Sequence, residues 1–102
     1  MGEVLLICRF VARPGTEVQL RALLQGMLAP THAEPGCKLY ELYESDAKCR
    51  FYLYESWESQ VALDQHMATP HFKHLKQTGG ELVTEPFEIN ILKRILTGAA
   101  AA

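Results

Sequence analysis

The 102-residue chain has room for one domain, expected over residues 1–96, and at this size a second copy would help it build a core. Hydrophobic residues make up 48% and charged residues 22%, the balance of a globular protein rather than a disordered one. A net charge of −2 without a basic cluster argues against nucleic acid as a partner, and no run approaches the roughly 18 apolar residues of a membrane span.

Glu3 to Ala12, rich in Val, Leu, Ile and Phe, predicts a first strand rather than a cleaved leader, because Met1-Gly2-Glu3 supplies no cationic start. Arg13-Pro14-Gly15 ends it in a turn. Thr16 and Gln19 have capping-box spacing, so a helix should begin there. Leu20, Leu23, Leu24, Met27 and Leu28 give that helix one apolar stripe, and Pro30 should close or kink it. Glu34-Pro35-Gly36 reads as a loop.

Lys38 to Glu44 and Phe51 to Trp57 predict an antiparallel hairpin around the polar Ser45 to Lys48. In the second of these strands Phe51, Leu53, Glu55 and Trp57 share one face, and Tyr52, Tyr54 and Ser56 the other. Ser59 is a candidate N-cap for a helix carrying Val61, Leu63, His66 and Met67. Thr69-Pro70 restarts it, Phe72 and Leu75 supply the inner face, and Gly79-Gly80 should end it. Phe87 to Leu96 predicts a last strand with Phe87, Ile89 and Ile91 on one side. Thr97 to Ala102 should be an unpacked tail.

The order β-α-β-β-α-β is the ferredoxin-like α+β arrangement with an antiparallel sheet. Its helices cover one sheet face, yet the strands carry large side chains on both. A second subunit laid sheet against sheet is the natural lid, giving a homodimer with a dimeric α+β barrel. Cys8, Cys37 and Cys49 form no CxxC pair and read as free thiols in a reducing cytoplasm.

The segments Glu34-Pro35-Gly36-Cys37-x-x-Tyr40-x-Leu42-Tyr43, Phe51-x-Leu53-Tyr54-Glu55-x-Trp57 and His66-x-x-Thr69-Pro70-His71-Phe72 resemble the antibiotic biosynthesis monooxygenase family. The resemblance runs from about Val4 to Ile95. It implies small dimeric α+β barrels, including oxygenases that act on quinols or anthrones with O2 and no cofactor. A deprotonated hydroxyaromatic can itself pass an electron to O2, so the protein need only exclude water, place a base and hold the anion. Haem-degrading relatives differ, with a Trp where this chain has His66 and a haem-ligating His near Lys76.

On this reading His66, in the stripe of Leu63 and Met67, is the candidate catalytic base; a buried structural histidine is the alternative. Trp57, Glu55, Phe72 and Leu75 are the candidate substrate-binding residues, with Glu55 placed to orient His66; a core indole, a carboxylate bound to Arg or a helix N-terminus, and plain core packing of Phe72 and Leu75 are the alternatives. Tyr52 and Tyr54 are expected at a dimer interface. His71 and His74 fit an outer helix face, and the Thr69-Pro70 break is expected to separate them from His66, so neither metal nor cofactor is anticipated. The function expected is a monooxygenase of a small aromatic substrate. An isomerase of a small carbonyl metabolite and a non-catalytic ligand-binding or stress-related dimer remain as alternatives.

Overall fold

Alternation along the strands sorts their side chains onto the two faces of one antiparallel sheet, and the helices cover only one of them. The computed structural model describes residues 2–46 and 49–95. Its elements are β1 (Val4–Val11), α1 (Glu17–Gln25), α2 (Leu28–His32), β2 (Cys37–Glu44), β3 (Arg50–Trp57), α3 (Gln60–Met67), α4 (Pro70–Leu82) and β4 (Glu88–Leu92). The sheet order is β2-β3-β1-β4, the ferredoxin-like topology expected. β1 pairs antiparallel with β3 from Val4↔Trp57 to Val11↔Arg50, and with β4 from Leu5↔Leu92 to Arg9↔Glu88. The sheet is open, with β2 and β4 at its edges, so the expected barrel is not closed by one chain.

The core lies between sheet and helices. Leu6, Phe10, Phe51, Leu53 and Trp57 project from the strands onto Leu20, Leu24, Leu63 and Leu75 of the helices. Full burial of each such side chain contributes about 1.5–3 kcal/mol, so this layer dominates the stability. On the other face Ile7, Tyr52 and Tyr54 are half-buried and Tyr43 is exposed.

Several helix boundaries differ from the sequence expectations. The first helix breaks at Gly26–Met27, ahead of Pro30. Pro30 occupies the third position of α2, where an N–H would have no intrahelical partner in any case. Thr16 does not cap α1; its hydroxyl donates to the carbonyls of Arg13 (2.8 Å) and Leu82 (2.9 Å), tying the β1–α1 turn to the end of α4. α4 runs through Gly79-Gly80 to Leu82. Gly79 is buried there because a Cβ would lie 3.0 Å from the Phe87 ring and 3.4 Å from Leu23, so it serves close packing, not termination.

Ser59 and Thr69 behave as expected of N-caps, accepting from the amides of Ala62 (3.1 Å) and Phe72 (3.2 Å). Leu63 and His66 are buried, but Val61 is exposed, since a two-residue step on a helix turns a side chain away from the core. β4 is shorter than expected, and Phe87, just before it, packs edge-on against Phe10 with centroids 4.6 Å apart. Thr97 to Ala102 lies outside the described residues.

Gly36, between α2 and β2, has φ +85°, and a Cβ there would sit 2.6 Å from the Ala62 Cβ on α3. Gly15 has φ +87° but open space around it. Gly15→Ala should therefore cost only the left-handed backbone, about 1–2 kcal/mol. Gly36→Ala should cost clearly more, because it adds the clash; urea unfolding of both variants checks this.

Candidate functional site

α3 and α4 are joined by two residues, Ala68 and Thr69, and this short turn builds the site. The Thr69 hydroxyl donates to the His66 carbonyl (2.7 Å) while accepting from the Phe72 amide, locking the end of one helix to the start of the next. His66 in the last turn of α3 and His71 in the first turn of α4 consequently point to the same place. The separation of His66 from His71 expected from the Thr69-Pro70 break does not hold. His71 is partly buried rather than on an outer face, whereas His74 is exposed.

The group they converge on is Glu34, in the loop after α2. Its Oε2 accepts from His66 Nδ1 at 2.7 Å and from His71 Nε2 at 2.6 Å. The backbone fixes the loop, with the Glu34 amide donating to the Thr31 carbonyl (3.0 Å) and the Cys37 amide to the Glu34 carbonyl (3.3 Å). The three donor atoms lie within 4.8 Å of one another. Glu34 was not anticipated from sequence as a site residue. Its motif Glu34-Pro35-Gly36 was visible, but nothing local pairs it with a histidine 32 positions away.

Rings surround His66. Its centroid lies 4.5 Å from Trp57, 5.3 Å from Phe72 and 5.7 Å from Tyr40. Burial lowers its pKa below the usual histidine value, with the Glu34 hydrogen bond opposing that shift. Burial thus favours the neutral ring, and Nδ1 is engaged by Glu34. Nε2 has no hydrogen-bond partner among the described residues.

His66 opens onto a cavity of about 200 Å³ between sheet and helices. Leu6, Leu63 and Phe72 form much of its apolar wall, and Met67, Ile89 and Ile91 stand at an exposed rim. Cys8, Glu55, Gln60 and His66 supply the polar atoms. Of the residues singled out from sequence, His66, Glu55 and Phe72 line this cavity. Trp57 is fully buried behind His66, and Leu75 belongs to the core, so neither reaches the cavity wall.

Glu55 does not orient His66, contrary to expectation. Its Oε1 accepts from Trp57 Nε1 at 2.9 Å and its Oε2 from the Cys8 thiol at 3.4 Å. The strand explains this, because Trp57 is its own i+2 neighbour on the same face and β1 brings Cys8 alongside. Burial raises the Glu55 carboxyl to about 7, against the opposing pull of those two donors. The same burial, with Glu55 beside it, pushes the Cys8 thiol far up, so Cys8 is no nucleophile.

Residues 4–78 match the family model described as antibiotic biosynthesis monooxygenase. The chain belongs to that family. It is 43% identical over 91 residues to Rv0793 of Mycobacterium tuberculosis, covering 89% of this chain and 90% of that protein. The solved structure of Rv0793 superimposes with a TM-score of 0.88 over 94% of this chain and 98% of that one. PA3566 of Pseudomonas aeruginosa, at 30% identity, gives a TM-score of 0.87 over 94% and 97%.

The raised Glu55 carboxyl makes a signed prediction. Its ionisation disfavours the folded state, so its contribution to stability is intact below the unfolded value of 4.5 and is lost as pH rises to about 7. Unfolding free energies of Glu55→Gln and the parent should therefore diverge in favour of the variant, by about 3 kcal/mol between those limits. Denaturant titrations across this range measure the difference, in which the His66 titration common to both proteins cancels.

Proposed function

We propose that this family member is a cofactor-independent monooxygenase that oxidises a small hydroxylated aromatic of the quinol type with O2. The observation that carries the reading is His66, held at Nδ1 by Glu34, without a partner at Nε2 among the described residues, and lining a largely apolar cavity. Nε2 accepts the substrate hydroxyl proton, which leaves an electron-rich phenolate. That anion reduces O2: one oxygen atom replaces a ring hydrogen, the other leaves as water, and the quinol ends as the hydroxyquinone. The ring supplies every electron, so no external reductant is needed.

The cavity size supports a single ring. An apolar cavity of about 150 Å³ accommodates benzene, and about 200 Å³ leaves room for ring substituents. Phe72 and Leu63 supply its apolar walls, and Glu55 offers a carboxyl to a substrate oxygen. Trp57 acts indirectly, by packing on the His66 ring and bonding Glu55. Leu75 supports the wall from the core. Among the described residues no Arg or Lys lines the cavity, which argues against the isomerase alternative. An open cavity, rather than one filled by side chains, argues against the non-catalytic one.

The proposal includes a homodimer through the free sheet face, where Ile7, Tyr43, Tyr52, Tyr54 and Leu92 line a shallow apolar depression. A second copy of the same face would cover it and close the barrel. Cys8, Cys37 and Cys49 are all free, which favours the reducing cytoplasm as its location.

Oxygen uptake by metal-stripped protein against a panel of quinols tests the activity. His66→Ala should lower kcat by about 100- to 10,000-fold while leaving the protein folded. Full turnover by that variant would remove His66 from the mechanism. Light scattering should give twice the chain mass for the parent, and Tyr54→Glu should shift it toward the monomer.

A further inference from the structure

We propose that Glu34, His66 and His71 form a divalent transition-metal site, of zinc type, whose occupation withdraws the base from the cavity. Two imidazoles and one carboxylate are the donor set that leaves a metal of this class an open position, and three protein ligands suffice for it. Here Glu34 Oε2, His66 Nδ1 and His71 Nε2 all lie within 4.8 Å of one another. The two histidine–carboxylate distances, 2.7 and 2.6 Å, show that the three groups already converge on one point.

His66 shifts its proton from Nδ1 to Nε2 and His71 from Nε2 to Nδ1, which frees the two facing lone pairs for the cation. The carboxylate, which now accepts two hydrogen bonds, becomes the anionic ligand. Entry is from the His71 side, because the His71 side chain is 23% exposed whereas that of His66 is 2% exposed. The ligands sit on preformed elements: Glu34 on a loop fixed by backbone bonds, and the histidines on two helices clamped by Thr69.

The consequence for catalysis follows from the tautomer. A cation on Nδ1 leaves Nε2 protonated, so His66 donates to the cavity and can no longer accept a proton from it. This inhibitory consequence rests on the proposed function; the metal site itself does not.

Isothermal titration of EDTA-stripped protein with Zn²⁺, with native mass spectrometry for stoichiometry, tests the site. One ion per chain is expected. His71→Ala and Glu34→Gln should each weaken binding by at least about 100-fold, since even outer-shell partners are worth about 10- to 100-fold. His74→Ala should bind as the parent does. Cys37 neighbours Glu34, so Cys37→Ser is included, and Co²⁺ should give ligand-field bands without a thiolate charge-transfer band. Should Glu34→Gln fail to fold, the partly exposed His71 still carries the comparison. Absence of 1:1 binding, or binding that survives His71→Ala and disappears in Cys37→Ser, overturns the site. Tight 1:1 binding that leaves oxygen uptake unchanged upholds the site and overturns the withdrawal of the base.

Discussion

Glu34 holds two histidines from two helices with a single carboxylate oxygen, and the geometry of the cavity depends on that contact. A carboxylate removed from water must find charge-assisted or multiple hydrogen bonds, and each such bond is worth about 1.5–3 kcal/mol. Glu34 finds two, at 2.7 and 2.6 Å, and in satisfying itself it fixes the orientation of the His66 ring. Trp57, Tyr40 and Phe72 then box that ring in.

The contact exists because three local devices agree. The α2–β2 loop is closed by backbone bonds and by Gly36, whose left-handed conformation brings it against Ala62. The α3–α4 turn is only two residues long, and Thr69 bonds both of its sides. The register Leu6↔Glu55 and Tyr40↔Glu55 sets the sheet floor beneath, so Glu55 sits between Leu6 and Tyr40 and bonds Cys8 and Trp57. A helix restart that in isolation looks like an interruption is the feature that superimposes His66 and His71.

The strands and their order were legible in the sequence because a period of two, interrupted by turn residues, leaves few other assignments. His66 was legible as inward-facing from its spacing to Leu63. The helix ends were less so, for reasons that are tertiary: Gly79 looks like a stop but is a packing contact with Phe87, and Thr16 looks like a cap but bonds Leu82. The site was half legible. Phe72 and Glu55 could be placed on the correct faces, but a side chain's face does not reveal its hydrogen-bond partner. Glu55 meets Trp57 and Cys8 before it can meet His66, and Glu34 reaches His66 only once the chain has folded.

The two carboxyl groups of the site differ in environment, and that difference is what acid–base chemistry on one ring requires. Glu34 lies between two imidazoles that donate to it. Glu55 is buried in the sheet with an indole and a thiol as its donors among the described residues, neither of them cationic, and burial lifts it to about 7. Near neutral pH a substantial share of Glu55 therefore carries a proton, while burial favours the neutral ring of His66. On the proposed function, an aromatic ring in the cavity would meet a proton acceptor on one wall and a proton-bearing carboxyl on another. Cys8, locked as a thiol by the same burial, adds polarity without reactivity. In the proposed reaction His66 would be the base and Glu55 its proton-bearing neighbour, and desolvation acting on two different side chains favours both protonation states.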